Sequence, residues 1–542
     1  MTDVHDQARA YLRAHAQLRP VDATFMGLPG HDHQLPPAGP DAVHAELATL
    51  EALQADLAHL QVPQTAAGRI DAQLLTAQLT TALAEGRRAP RQHSPAWYTG
   101  EAAFGVISLL LPGHLDDPDV TRDALRVRLE AIPAFLAQAR AHLQGRARPD
   151  DVAERARREA RAAAHLLTSG LPRHPLWDDT LRLPAGRAAR ALQAYAEDLS
   201  GPDAPVACGE THLDLLMRVT HALPFGPREA LERATEAFAR LTTQLETQAR
   251  RLPGGLHWTE HLARLETQVP DADPARLLGT YRDLHERALD AARPLMTPAD
   301  EYGLDFTFLP EWAEGSGDLY FLFYRSPAPL RPGSGSRYWV TPPGPNPADL
   351  RAHNCAFVKL VHAVHHGSIG HHTHNARARQ ADSVLARVAG TDCASGIALL
   401  GAGTMVEGWA CYAEDLLAEI PGFYTPAEEL LLTQFERRNA ASCIVDLKLH
   451  LGEWTLEQAR TFYRDEAHFA PARIWAETTR NALFPASRLM YWLGTETIKA
   501  LRAELALPPR LFHDALLAHG HAPATVVADE LRAKQTQGAL NL

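Results

Sequence analysis

The stretch Val361–Asn375, VHAVHHGSIGHHTHN, holds six histidines in fifteen residues, interrupted by Gly367 and Gly370. Upstream, Asn346-Pro347-Ala348-Asp349 reads as an N-cap, a proline at the first helical position and an acid at the third. A helix is therefore predicted from 347 to about His366, with Gly367 as its stop. On that helix His362 and His366 are one turn apart, the i,i+4 spacing at which two imidazoles converge on one ion. Neutral imidazole binds zinc, iron, copper or nickel, and a catalytic site adds a carboxylate and one open position. An H-E-x-x-H peptidase motif also needs Glu directly after the first histidine as general base, and Ala363 stands there. A hydrogen-bonded histidine network without an ion satisfies the same spacing.

Working outward, Met405–Leu417 reads MVEGWACYAEDLL. A helix predicted from Thr404 to about Ile420 puts Glu407, Cys411 and Glu414 on one face, where a carboxylate can complete a His/His/Glu set. Thr425-Pro426-Ala427-Glu428 is a capping box opening a helix to about Leu451, and Thr455–Gln458 is another. On the first of these helices Asp446 and His450 stand at i,i+4, a carboxylate–imidazole pair able to support a metal site from behind. Before the histidines, residues 301–347 concentrate Phe, Tyr and Trp. Leu319–Tyr324 and Arg337–Thr341, joined by a Pro/Gly/Ser connector, are predicted as a small hairpin whose edge could take an extended peptide.

Residues 1–300 read as amphipathic helices separated by Pro/Gly breaks, as in DDVAERARREARAAAHLLTSGLP. The expected organisation is a helical region 1–300, a small β region 301–346 and a helical metal-site region 347–542, forming one continuous mainly α unit. The 542 residues are 46% hydrophobic and 22% charged, which suits a folded chain with ample core. A net charge of −12 supplies no basic field for nucleic acid or anionic lipid, so peptides or small molecules are the expected partners. Five scattered cysteines without C-x-x-C signal neither a disulfide framework nor a thiolate zinc site. With no apolar leader-like stretch and no long apolar run, the expected location is the cytoplasm.

Taken in order, several segments resemble the bacterial family known as domain of unknown function 885, a mainly helical group related to gluzincin metallopeptidases. RPVDATFMGLPGHD is similar to its P-x-x-A-T-x-x-G segment, and SGSRYWVTPP to the strand before its metal helix. HHGSIGHHTH stands where the family has H-E-x-x-P-G-H-H-x-Q, and VEGWACYAEDL resembles E-G-W-A-x-Y-x-E. ASCIVDLKLHLGEWTLEQA and TTRNALFPASRLMYWLG are similar to two later segments. The resemblance implies a gluzincin-like multi-helical fold, with Zn²⁺ held by His365, His371 and Glu407. It puts His372, His374, Asp446 and His450 around these ligands, and Arg480 and Tyr491 at the pocket as catalytic candidates. His365 and His371 are six apart, so the glycine turn must bring them together.

The departures concern chemistry. The family's general-base Glu is His366 here, and its Pro is Ile369. His374, Asn481, Ser487 and Trp492 replace its Gln, Tyr, Gln and Lys. Proton transfer by a positioned base contributes roughly 10²- to 10⁴-fold in rate, so the exchange at His366 matters most. Imidazole can accept a proton near neutrality, or it can become a further ligand and fill the open position. Three readings follow. One is a metal-dependent hydrolase of peptide or other amide bonds with His366 as substitute base. Another is a non-hydrolytic enzyme with Fe²⁺ or another transition metal on His/His/Glu. The third is a catalytically inactive binding protein on the same scaffold, with or without an ion.

Overall fold

The computed structural model describes residues 3–539, apart from 62, 90–92, 114–116, 271–272, 320–323, 332, 334, 345, 347 and 348. Helices dominate, as the 3.6-residue recurrence of apolar side chains requires. Asp150–His165 forms one helix and runs on through a widened turn, Leu166–Gly170, so its end falls at the Ser169-Gly170 pair. Helix Pro95–Leu110 lies deepest in the N-terminal half: every residue but Trp97 is buried. Among the described residues no helix is long and apolar enough to cross a membrane.

The largest core joins distant parts of the chain. Tyr11, Leu75 and Leu79 from the first helices pack with Leu360, Val364 and Ile369 of the histidine segment, and with Trp409 and Phe512. Each such buried side chain contributes about 1.5–3 kcal/mol, so the histidine segment is anchored from both sequence ends.

Strands β1 (Leu304–Phe308), β2 (Tyr324–Arg325) and β3 (Ser336–Val340) form a sheet in the order β1-β3-β2. The predicted hairpin is present as the antiparallel β2–β3 pair, although residues 320–323 of its first strand lie outside the described residues. β1 pairs parallel with β3, placing Phe306 opposite Tyr338. Local pattern does not reveal this strand, because its partner lies far along the chain. The pairing makes β3 central, so it offers no edge to a peptide, and Tyr324, Tyr338 and Trp339 are core residues. A second small hairpin, β4 (Asp392–Cys393) with β5 (Gly396–Ile397), follows the histidines.

The C-terminal elements follow their caps. Thr425 Oγ1 accepts from the Glu428 N–H while Glu428 bonds back to the Thr425 N–H, and helix Pro426–His450 follows. Thr455 and Gln458 repeat the arrangement before Leu456–Asp465. The Glu407 helix spans Gly403–Leu416 and ends in a tight 3₁₀ turn at Leu417–Glu419, a little before the predicted Ile420. It crosses helix Leu489–Leu505 at Gly408 and Gly494: a Cβ on Gly494 would stand 2.1 Å from the Thr404 carbonyl oxygen. Only glycine permits so close a crossing.

Candidate metal centre

The histidine helix starts later than its sequence suggests. Asn354 is the cap, its Oδ1 accepting from the Phe357 N–H at 2.9 Å. The Asn346 N–H instead donates to Asp349 Oδ2, and Asp349–His353 is a separate 3₁₀ turn; Pro347 and Ala348 lie outside the described residues. From Val358 to His366 the backbone is wound as a π-helix, a form often found at functional sites. The rings of His362 and His366 remain neighbours, stacked with centroids 6.2 Å apart. His362 Nδ1 is engaged by the Tyr338 hydroxyl, so the pair suggested by spacing alone does not form a two-imidazole site.

At Gly367–Gly370 the chain kinks and re-enters a wide turn, Ser368–His372. Gly370 breaks the helical path with ψ −125°, and a Cβ there would lie 1.9 Å from the His365 carbonyl oxygen. The kink folds His371 back onto His365, their ring centroids 4.9 Å apart and nearly perpendicular. Trp409 Nε1 donates to the Ile369 carbonyl at 2.8 Å, fastening the kink to the Glu407 helix.

On this framework Glu407 Oε2 lies 3.6 Å from His365 Nε2 and 3.6 Å from His371 Nε2. Zinc–ligand bonds of about 2.1 Å give a tetrahedral edge of about 3.4 Å, close to each of these two distances. His365 Nδ1 meets Glu414 Oε1 at 2.7 Å, the carboxylate–imidazole contact that fixes the tautomer and aims Nε2 at a metal. A nitrogen of His366 lies within 4.8 Å of nitrogens of His365 and His371. His366 Nδ1 bonds the Val361 carbonyl at 3.0 Å and must carry the proton, because a carbonyl only accepts; the lone pair is therefore on Nε2. Glu414 and the adjoining Cys411 are the contributors whose roles the spacing did not assign. Their positions four and seven residues after Glu407, on one helix face, are the signal.

Electrostatics match this reading. Burial opposes charge on His365, but Cys411, Glu407 and Glu414 outweigh it and hold the imidazole well above its usual pKa. Burial also opposes ionisation of Glu407, and His365 and His371 overcome it, keeping the carboxylate well below its usual range. His366 is driven well below its ordinary value by burial and by its histidine neighbours. It is thus a neutral imidazole with its lone pair free.

A cavity of about 1420 Å³ opens over this cluster, lined by His365, His366 and Glu407 together with Arg480 and Tyr491. Burial raises the Tyr491 pKa, and the Glu407 charge adds to it. Four residues expected around the ligands have other duties. His372 bonds Ser336 and His374 donates to the Gly520 carbonyl; burial pushes the two down to about 3 and about 4. Asp446 Oδ2 accepts from the Arg488 and Leu489 N–H groups at 2.8 and 3.2 Å, capping the helix that carries Tyr491. His450 donates to the Asn481 carbonyl at 2.9 Å, beside Arg480. Asp446 and His450 therefore steady the elements bearing Arg480 and Tyr491 and do not touch the cluster.

Fold and site together describe a mainly helical protein with a His/His/Glu constellation under a large cavity. Residues 20–531 match the family described as "Bacterial protein of unknown function (DUF885)", and the chain belongs to that family. Two solved structures share the fold. A "putative lipoprotein of unknown function" from Shewanella oneidensis superposes with TM-score 0.77 at 18% identity, covering 98% of this chain and 100% of its own. A "putative lipoprotein" from Colwellia psychrerythraea gives 0.76 at 17% identity, covering 99% and 100%. No curated protein matches the sequence.

Proposed function

We propose that this protein is a metal-dependent hydrolase of peptide or other amide bonds, a relative in chemistry of the gluzincin metallopeptidases. The observation that carries the reading is the convergence of His365 Nε2 and His371 Nε2 on Glu407 Oε2, at 3.6 Å each, with Glu414 behind His365. These three residues would hold a zinc-type divalent ion, which when bound polarises a carbonyl and makes its water more acidic. Glu414 keeps His365 in the ligating tautomer. Nε2 of His366 stands in place of the carboxylate base and takes a proton from water, against the burial and the histidine neighbours that weaken it as an acceptor. Tyr491 donates toward the carbonyl oxygen of a bound amide, where negative charge develops, and Arg480 lines the same cavity.

His366 also supports a second reading. A nitrogen of His366 lies within 4.8 Å of nitrogens of His365 and His371, and an ion drawing it in would gain a fourth ligand. A sphere filled by three imidazoles and Glu407 leaves no open position, and the protein would then bind metal without hydrolysis. One experiment separates the two: metal analysis of the dialysed protein, followed by an amide panel with wild type and His366→Glu. Stoichiometric zinc with amidase activity retained or raised in the variant supports the hydrolase. Zinc with inert wild type and inert variant supports the filled sphere. Absence of retained metal sinks both, and stoichiometric iron or copper would point to redox chemistry.

A further inference from the structure

The cavity wall beside the histidine cluster is strongly cationic. Arg473 is exposed, Arg438 and Arg480 are half-buried and Arg488 is buried, and all four line the cavity around one carboxylate, Glu477. Glu477 is 1% exposed and already spoken for: Arg473 Nε lies 2.7 Å from one of its oxygens and Arg488 Nη2 lies 2.6 Å from the other. That leaves Arg438 and Arg480. Among the described residues neither makes a hydrogen bond or an ion pair. Arg438 only lies over the Phe435 and Phe469 rings, at 5.2 and 4.7 Å. Both are enclosed by protein yet half-open to the cavity, and burial lowers the pKa of each, down to about 9 for Arg438. Their counter-charge is chiefly Glu477, which is already bonded to two other guanidinium groups, so burial is only partly offset and an arriving anion recovers the rest.

We propose that Arg438 and Arg480 form an anion subsite that takes a carboxylate of the substrate, making the substrate an amide with a free carboxylate and an apolar body. The planar fork of arginine suits a carboxylate, and Phe435 and Phe469 supply apolar surface next to it. An N-acyl amino acid or the C-terminal end of a peptide has this combination. The inference rests on the hydrolase reading for the word substrate, but the subsite itself requires no metal.

The test is calorimetric binding to chelator-treated full-length protein, using hippurate, its uncharged analogue hippuramide, and inorganic phosphate. Hippurate is expected to bind at least about tenfold more tightly than hippuramide, as a charge-assisted fork implies. The preference should fall below about twofold in Arg438→Met and in Arg480→Met. Should one variant fail to fold, the other and the wild-type comparison still decide. Equal binding of hippurate and hippuramide, no hippurate binding at millimolar concentration, or a preference untouched by either substitution overturns the subsite. Phosphate binding more tightly than hippurate overturns its assignment to carboxylate. Because the measurement is made without metal, a carboxylate preference in a protein that never retains zinc upholds the subsite while removing the hydrolase. Zinc-dependent amidase activity without that preference does the reverse.

Discussion

Among the carboxylate–imidazole contacts of the described residues, two differ instructively in where their free atoms point. Asp446 and His450, on one straight helix, sit 3.4 Å apart and are both fully buried. Asp446 spends one oxygen on the backbone of Arg488 and Leu489, and His450 spends Nε2 on the Asn481 carbonyl. In the histidine turn the same residue types leave Nε2 of His365, Nε2 of His371 and Oε2 of Glu407 facing one another below a cavity. Both places set carboxylate against imidazole, one at i,i+4 on a single helix and the other between a kinked turn and a neighbouring helix. What separates a structural brace from a candidate metal centre is the convergence of uncommitted donor atoms.

Metal affinity is the sharpest way to break that comparison. Glu407→Ala should lower zinc affinity by more than about 100-fold in a competition titration, beyond the range of supporting residues. Removing the orienting carboxylate, Glu414→Gln, should cost about 10- to 100-fold while the protein still binds stoichiometrically. Asp446→Ala should change zinc affinity by less than about twofold. It should instead lower unfolding free energy by about 1–3 kcal/mol in a denaturant melt, since two buried N–H groups lose their acceptor. A large affinity loss in that variant would erase the distinction drawn between the two constellations.

Acid provides a milder probe. Metal needs deprotonated imidazole, so zinc affinity should rise with pH as His365, whose pKa is held high, gives up its proton. In the metal-free protein the sign reverses. A histidine whose folded pKa exceeds its unfolded value adds stability that is complete below about 6.5 and fades as pH climbs through the folded value. Asp446 acts in the same direction: burial raises it to about 7, so the native state holds a proton that the unfolded chain releases near 3.8. Metal-free stability should therefore decline between about pH 4 and 7 from Asp446, and the slope should diminish in Asp446→Ala.

The order of helices, the capping boxes at Thr425 and Thr455 and the β2–β3 pair were all legible in the sequence, because caps, turns and periodicity are local. Family resemblance, not spacing, also singled out His365, His371 and Glu407, which the structure brings side by side. Spacing pointed to His362 and His366, whose rings do stack, but Tyr338 engages His362 and the Val361 carbonyl takes Nδ1 of His366, contacts that no spacing rule contains. β1 was not legible because its partner is remote, and the Asn346 cap was displaced by Asn354, whose side chain reaches the helix N–H. The unpaired state of Arg438 and Arg480 depends on which partners Glu477 has already taken, and only coordinates carry that.

The glycine crossing of Gly408 and Gly494 has a bearing on motion. With no side chains between them, the two backbones touch directly, and neither helix can slide or roll against the other without collision. Glu407 precedes one contact point and Tyr491 stands one turn before the other, so carboxylate and phenol are carried on a single stiff cross. The separation of carboxylate and phenol is therefore set by the crossing itself and not by whatever the cavity takes in.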